Sequence, residues 1–516
     1  MSANVSRRFF IGGAASFGAF AGCRFFGCPD FRVGGTPNLK FGVVSDIHIT
    51  RVGTGEKISA WGNNLTFKHA LEWFRDQGVD AVVIAGDMAD NGMDDHLMAV
   101  AEAWYAVFPE DRYPDGRPIE KVFVYGNHDY HGFLYGNHAE VRYPDPAERR
   151  KHVLRADLKG WWEKIFHEEY SRFYTKEIRG YRFLGAHWDD GKGMETRYGS
   201  TTFGEELAAY LTAHGRELDP ALPFFYVQHP HLKDTCYGSW AWGHDNGKAT
   251  KCLSAYSNAI AFSGHSHYSL TDERSVWQGA FTSVGTSSLR YTGMPYNERH
   301  PAGYENTTTE AKDGWRHNAV KLSPRFETGD CRQGMLWSVY DDCITVRRRE
   351  FLSDLDLGAD WVMPLPAAES KPFAFAVRAK SLAAPSFAAD ARITVKRVKA
   401  KNRGGKSPDG KTVIAAETKE ALQVVVPAAV ADAGARLYEL EVVAEAKDGT
   451  RKTKLLMAEG YNHAPSHPKA RKSSAFCNFL LSELPKGEVR FVVTPMNCFH
   501  ARGTPLVSAW MPVTSV

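Results

Sequence analysis

Five apolar segments in this chain each end in a short block of Asp, Asn or His residues, and this recurrence restricts the fold strongly. The blocks read SDIH (45–48), GDMAD (86–90), GNHD (126–129), QHPH (228–231) and GHSH (264–267). Apolar segments such as Val79–Ala85 are typical of buried strands, and the helical pattern over Thr66–Gln77 separates the first two. Strands that alternate with helices predict an α/β sheet, whose ligands bind at the carboxyl ends of the strands. We therefore expect the five blocks to meet at one edge of the sheet, where the strands end.

The residue types in these blocks indicate a metal centre. Carboxylate and amide oxygens with imidazole nitrogens, and no thiolate, favour Mn, Fe or Zn. The ligands suffice for two ions, because one carboxylate can bridge a pair of metals with its two oxygens. Glycine precedes Asp87, Asn127 and His265, and we expect the backbone to turn sharply there.

In this order the five blocks resemble the motifs D-x-H, G-D-x-x, G-N-H-[DE], H and G-H-x-H of the calcineurin-like metallophosphoesterase superfamily. The resemblance runs from Asn38 to Phe351. It implies an α/β catalytic domain of the metallophosphoesterase αββα sandwich type. The metal ligands that it implies are Asp46, His48 and His267 for one ion, Asn127, His229 and His265 for the other, and Asp87 as the bridge.

The resemblance also implies the chemistry. The superfamily uses a metal-bound hydroxide to hydrolyse phosphoesters, with His128 assisting the leaving group and Asp129 orienting His128. A phosphodiester is favoured over a phosphomonoester or a nucleotide as the small substrate. Asp90 occupies the position at which purple acid phosphatases have a tyrosine ligand, so an iron–tyrosinate centre is not expected.

Several further polar residues are candidate substrate contacts. His187 ends a predicted strand at the same edge, and His231 lies two residues after a predicted ligand. For His231 the alternative is a surface loop histidine. Asp90 could contact substrate, orient a ligand or cap the following helix. Further candidates for a pocket wall, with packing as the alternative, are Tyr237, Trp240 and Trp242.

The pattern changes after the catalytic region, which we place at residues 38–352. Residues 353–372 contain Pro364 and Pro366 and are predicted to be a linker. Residues 373–516 follow as an all-β domain, because segments such as Leu437–Ala446 alternate apolar and polar side chains and are separated by turn signals. An immunoglobulin- or fibronectin-like sandwich is expected. An alternative function is a surface-anchored binding protein, in which this sandwich recognises a ligand and the metal domain is a platform.

The first thirty residues are typical of a targeting segment. Arg7 and Arg8 directly precede a Gly-, Ala- and Phe-rich apolar run, as in bacterial twin-arginine signals. We expect export to the periplasm, or anchoring as a lipoprotein if Cys23 is lipidated and tethers the chain to the membrane.

Charge and cysteine content restrict partners and cross-links. The net charge is only +3 without a basic run, which argues against binding to duplex nucleic acid. No sequence feature indicates an oligomeric state. The cysteines after the leader form three local pairs that would suit disulfides or buried thiols. They are Cys236/Cys252, Cys331/Cys343 and Cys477/Cys498.

Overall fold

The structure is a computed structural model, and the catalytic blocks and most of the C-terminal strands lie within its described residues. These are 35–50, 63–135, 140, 143–189, 203–239, 241–295, 304–305, 329–367, 370–402, 405–406, 413–414, 417–430, 436–470 and 474–513. The predicted targeting segment 1–30, with Cys23, and Trp240 lie outside them. The described residues all fall within one compact unit, Gly34–Val516.

Two sheets form the α/β region. Their strands are β1 (Leu39–Val44), β2 (Ala81–Ala85), β3 (Glu120–Val124), β4 (Phe173–Ile178), β5 (Tyr181–Ala186), β6 (Phe224–Val227), β7 (Ala259–Ser263), β8 (Val276–Gln278), β9 (Thr282–Gly285), β10 (Gln333–Val339), β11 (Cys343–Glu350), β12 (Leu355–Asp356) and β13 (Trp361–Pro364). The first sheet has the order β12-β11-β10-β1-β2-β3, with β13 beside β11, and the second has β4-β5-β6-β7-β9-β8. Strands β1 to β3 are parallel, as are β5, β6, β7 and β9.

Helices cover both outer faces of this pair of sheets. The helices of the described residues are α1 (Asn63–Gln77), α2 (Asp94–Val107), α3 (Asn127–His131), α4 (Pro146–His152), α5 (Leu158–Phe166), α6 (Glu205–His214), α7 (Lys248–Leu253) and, nearer the C-terminus, α8 (Phe375–Ser381). Apolar side chains from both sheets form the central core, where the ring of Phe41 lies 5.4 Å from that of Phe183. Helices α1, α2 and α5 pack on the first sheet, and α6 and α7 pack on the second. The predicted αββα arrangement is confirmed.

The charged segment between β3 and β4 contains two helices. Residues 146–170 could be expected from their charge and aromatic content to form one helix, but α4 and α5 are separate. The backbone is extended at Val153, and the side chain of Asp157 then accepts a hydrogen bond from the backbone N–H of Gly160. That cap starts a new helix, which ends at a left-handed residue, His167.

The C-terminal region is rich in antiparallel strands. They are β14 (Ser386–Phe387), β15 (Thr394–Asn402), β16 (Gly405–Lys406), β17 (Val413–Ile414), β18 (Glu417–Pro427), β19 (Ala429–Val430), β20 (Glu439–Ala446), β21 (Arg451–Met457), β22 (Ser474–Leu480), β23 (Glu488–Met496), β24 (Leu506–Val507) and β25 (Met511–Pro512). The sheets β15-β18-β22 and β21-β20-β23-β24 share one apolar core, to which Val424, Val442 and Phe491 contribute. The expected sandwich is therefore present.

The segment predicted as a linker is partly structured. Residues 353–372 include β12 and β13, and both strands pair with β11 of the first sheet. Trp361 and Met363 of β13 are buried in the central core, so apolar burial keeps this segment on the α/β region as far as Pro364.

The six cysteines after the leader are all free thiols. Their surroundings explain why the local pairs do not close. Cys477 is buried in the core of the sandwich, whereas Cys498 packs in a separate apolar cluster with Tyr438. Among the described helices, none combines the length and apolar character needed to cross a membrane.

Candidate metal centre

The five blocks converge where the parallel strands of the two sheets end. Within each of two groups of side chains, the ligand atoms lie within 4.8 Å of one another and could hold a metal ion. One group contains Asp46, His48, Asp87 and His267, and the other contains Asp87, His229 and His265. Asp87 belongs to both groups, which is the position that the sequence predicts for a bridging carboxylate.

Close contacts between nitrogens and oxygens connect the two groups. His267 Nε2 lies 3.0 Å from Asp46 Oδ1, and His229 Nε2 lies 3.1 Å from Asp87 Oδ2. Asn127, the remaining predicted ligand, places its Oδ1 3.1 Å from His229 Nε2. The structure therefore brings all seven predicted ligands together, and their binding of metal stays a prediction.

The backbone at the ligands adopts an uncommon conformation. Five of the seven have positive φ values, at Asp46 (49°), His48 (49°), Asp87 (54°), His265 (73°) and His267 (57°). Non-glycine residues rarely adopt this left-handed conformation, and clusters of such residues are typical of functional sites.

Two of the preceding glycines are needed because other groups approach them closely. A Cβ atom at Gly126 would collide with the carboxylate of Asp87, and one at Gly264 would collide with the carboxylate of Asp46. The prediction attributed these glycines to sharp turns. Close approach is the better reason at both positions, since only Gly86 of the three has a positive φ.

The donor set fits cations. The Nδ1 atom of His229 donates to the Ala85 carbonyl (2.7 Å), so its Nε2 faces the carboxylates. His48 Nδ1 likewise donates to Asp90 Oδ1 (3.1 Å), and its Nε2 lies 3.1 Å from the Nε2 of His267. A metal ion between these two imidazole nitrogens would accept a lone pair from each of them. Its positive charge would also balance the negative charge of the neighbouring carboxylates.

The electrostatics of the centre also suit metal binding. Burial alone would raise the pKa of Asp87, but the neighbouring His229 and His128 hold it well below its usual value. Burial lowers the pKa of His265 to about 3 and keeps this ring neutral. Burial would also lower the pKa of His229, but Asp87 raises it to about 9. A metal ion would therefore displace a proton from His229, which makes binding dependent on pH.

His128 lies beside the ligands, but the residue that orients it is not the predicted one. Its Nδ1 donates to the backbone carbonyl of Asp90 (2.7 Å), and its ring centroid lies 4.4 Å from that of His48. Asp129, which was expected to orient His128, is fully buried and accepts backbone N–H groups of Met88, Ala89 and Gly126. Asp129 thus fixes the loops after β2 and β3, and the backbone of Asp90 orients His128.

The carboxylate of Asp90 has a positioning role. It accepts from His48 Nδ1 and pairs with the guanidinium of Arg290. Burial would raise its pKa, but the hydrogen bond from His48 and the charge of Arg290 outweigh that effect and lower it. The helix cap reading is wrong, because α2 begins at Asp94 with Met93 at its N-cap.

His187 and His231, the other two candidate substrate contacts, are core residues. His187 accepts from the backbone N–H of Tyr125 (3.0 Å) among aromatic rings, and burial lowers its pKa to about 3. His231 is 1% exposed and hydrogen-bonds with Ser263 (2.8 Å) and Ser266 (2.6 Å). His231 is therefore not a surface loop histidine either, and it holds the loop that carries His265 and His267.

Residues outside the motifs complete the surroundings. The ring of Trp242 stacks on His265 at 4.5 Å, Tyr291 lies 4.2 Å from His267, and Tyr135 lies 4.6 Å from His128. Trp242, a predicted wall residue, is 40% exposed, whereas Tyr237 is fully buried. Sequence reasoning missed Tyr135, Arg290 and Tyr291. Only the position of Tyr135 shortly after the GNHD block could have indicated one of them.

The chain is similar in sequence and structure to known phosphoesterases and phosphatases. The family model described as calcineurin-like phosphoesterase matches residues 39–269. A dimetal phosphatase from Danio rerio is similar in structure at 14% identity and a TM-score of 0.35, over 64% of this chain and 99% of that chain. A purple acid phosphatase from yellow lupin (Lupinus luteus) seeds has 14% identity and a TM-score of 0.38, over 63% of this chain and 54% of that chain. No curated protein matches the sequence.

Proposed function

Because the family model described as calcineurin-like phosphoesterase matches residues 39–269, we propose that this chain hydrolyses a small phosphoester at a centre of two metal ions. The observation that carries the proposal is the pair of ligand groups that share Asp87. Asp46, His48 and His267 would hold one ion with Asp87, and Asn127, His229 and His265 would hold the other. The ions, when bound, supply Lewis acidity for the phosphoryl group and a nucleophile at neutral pH. Mn, Fe and Zn suit this donor set.

The protein's own residues would position and protonate the substrate. The backbone of Asp90 holds His128 through its Nδ1, so Nε2 is the nitrogen available to protonate a leaving oxygen. Arg290 is 35% exposed, and its positive charge beside Asp90 would attract a phosphoryl group towards the centre. An intact His128 beside the ligands supports catalysis over the alternative of a binding platform.

We favour phosphodiesters among the possible substrates. Tyr135 is 47% exposed beside His128, and Trp242 is 40% exposed beside His265. The exposed rings beside His128 and beside His265 offer apolar surface for the two substituents of a phosphodiester.

The test is a substrate panel on the full chain loaded with Mn, Fe or Zn. An aryl phosphomonoester and a bis-aryl phosphodiester report the two classes, and an aryl carboxylic ester serves as the control for non-specific hydrolysis. We expect the diester to have the higher kcat/KM. Equal rates on the carboxylic ester and the phosphoesters, or no turnover with any of the metals, would contradict the proposed function.

We also propose that the chain leaves a bacterial cytoplasm through residues 1–30. The twin-arginine pair supports this proposal. Substituting both Arg7→Lys and Arg8→Lys keeps the charge but removes the guanidinium pair, so export should fall sharply while metal content stays normal. Cys23→Ala separates export to the periplasm from anchoring as a lipoprotein, since it releases the protein from the membrane fraction only if Cys23 is lipidated. Unchanged export of the double lysine variant would contradict the route.

A further inference from the structure

A second group of ligand-type side chains lies where the C-terminal region contacts the α/β region. Cys331, Glu350 and His463 offer ligand atoms within 4.8 Å of one another, and all three are buried. Cys331 precedes β10, Glu350 ends β11, and His463 follows β21. We propose that these three residues bind a structural zinc ion, separate from the catalytic centre.

The histidine of this group is oriented as a metal ligand would be. His463 Nδ1 lies 3.1 Å from Glu350 Oε1, and on the other side of the ring Nε2 lies 3.3 Å from Asp330 Oδ1. Metal-bound histidines usually hydrogen-bond through the second nitrogen to a carboxylate or a carbonyl. Nδ1 would bind the ion, and Asp330 would fix the ring from behind.

The carboxylate and the sulfur are held from outside in the same way. Glu350 Oε2 accepts from the backbone N–H of Ala464 (2.9 Å), which leaves Oε1 towards His463. The Gln333 side-chain N–H lies 3.1 Å from Cys331 Sγ and would stabilise a thiolate. The carbonyl oxygen of Asn462, 2.8 Å from the same sulfur, offers a fourth position. Binding would form the bond from sulfur to zinc and release the thiol proton to solvent.

The group at Cys331 shares one feature with the catalytic centre and differs from it in another. Each cluster packs imidazole nitrogen against carboxylate oxygen, at 3.0 Å for His267 and Asp46 and at 3.1 Å for His463 and Glu350. The clusters differ in the thiol of Cys331. Zinc accepts thiolate sulfur, imidazole nitrogen and carboxylate oxygen as ligands, and a closed, buried site without an open position is the arrangement of structural zinc.

The ion would join parts of the chain that are far apart in sequence. His463 and Glu350 are 113 residues apart. The side chain of the neighbouring Asn462 reaches the loop that carries Arg290 and Tyr291, since its Nδ2 donates to the Thr292 carbonyl (3.2 Å). Zinc here would fix the C-terminal region against the catalytic edge, which is the edge of the sheets where the five polar blocks meet.

Cobalt substitution tests the proposal, because a thiolate bound to Co²⁺ gives a charge-transfer absorption in the near ultraviolet. The catalytic ligands include no sulfur, so this band reports the second site alone. We expect the full chain, stripped of metal and titrated to saturation with Co²⁺, to develop the band with the intensity of one thiolate-bound cobalt per chain. Cys331→Ala should abolish it, and Cys343→Ala, which removes another buried cysteine, should retain it. Absence of the band in the wild-type chain overturns the proposal, as does its survival in Cys331→Ala.

Zinc content and stability provide a second measurement that does not depend on activity. In an Asp87→Asn background, which weakens the catalytic centre, we expect one zinc per chain that resists mild chelation and raises Tm. Adding His463→Gln, the milder change if Cys331→Ala does not fold, should remove that zinc and the rise in Tm together. Equal zinc content with and without His463→Gln overturns the proposal, while leaving the proposed hydrolysis untouched.

Discussion

The α/β region and the C-terminal sandwich both consist of two sheets packed face to face, but they distribute polar side chains differently. Every residue of the parallel strand β2 is buried, so polar groups follow the strand instead of alternating within it. In the antiparallel strand β20, Leu440 and Val442 face the core while Glu441 is only partly buried between them. Parallel strands covered on both faces thus concentrate polar chemistry at one edge, whereas half-covered strands spread it over a surface.

This contrast explains why the ligand groups at the catalytic edge have no counterpart among the described residues of the sandwich. Among the described residues, the groups able to hold an ion lie at the catalytic edge or at the contact between the two regions. Substitutions at the catalytic edge should therefore change chemistry, and substitutions in the sandwich should change stability. The following predictions test that separation.

The largest effect is expected at Asp87, because its carboxylate belongs to both ligand groups. Asp87→Asn should reduce hydrolysis to background and remove up to about two metal ions per chain, the number that a two-metal catalytic site holds. Elemental analysis and turnover measure both effects. The matched control is Glu445→Gln, which alters an ion pair of the sandwich with Arg451 and Arg490. Equal loss of metal in both variants would contradict the separation between the catalytic edge and the sandwich.

His128→Ala should keep the metals and lose turnover. A leaving-group acid contributes roughly 10²–10⁴-fold, and the effect should be greatest for a poorly activated leaving group. The rate ratio between alkyl and nitroaryl esters measures this selectivity, with elemental analysis as the control. Wild-type turnover of the alkyl ester would show that His128 has no such role.

Asp90→Asn should weaken metal binding without removing it. The loss of its charge disturbs His48 and Arg290 together, and changes of this kind typically cost about 10–100-fold in metal affinity or activity. Competitive chelation measures the affinity. Asp76→Asn, on the exposed end of α1, is the control, and the interpretation fails if both variants bind metal equally well.

The smallest effect on chemistry is expected in the sandwich core. Leu456 is fully buried there, and Leu456→Ala should lower the free energy of unfolding by about 2–5 kcal/mol. The metal content and kcat/KM of the folded protein should not change. Denaturant unfolding with parallel assays at 25 °C checks both. A drop in kcat/KM comparable to that of Asp90→Asn would mean that the two regions are not separable in function.

The sequence predicts the fold best where a clear apolar pattern of a strand is followed by one of the polar blocks. The buried strands and their final Asp, Asn and His residues indicated the αββα arrangement. The match to the calcineurin-like phosphoesterase family model confirms the resemblance that these residues carry. Strands with mixed exposure, such as Phe173–Ile178 and Ser474–Leu480, were missed because their apolar residues do not alternate cleanly.

The site was predictable in its ligands but not in their supports. Arg290 and Asp90 are 200 residues apart, and no local pattern connects them. The burial of His231 depends on Ser263 and Ser266, which approach it only after the sheet has formed. Asp129 contacts backbone N–H groups, and sequence reasoning cannot distinguish that role from contact with a neighbouring imidazole.

The left-handed backbone at five ligands has a consequence for protein engineering. Each such residue carries a conformational cost of roughly 1–2 kcal/mol, which the surrounding strands and loops must offset. Copying the ligand side chains onto another α/β scaffold would therefore not reproduce the centre unless the loop conformations came with them. A transplant of this centre would need whole strand-to-loop segments, such as Gly264–His267 with its supporting His231, as its smallest unit.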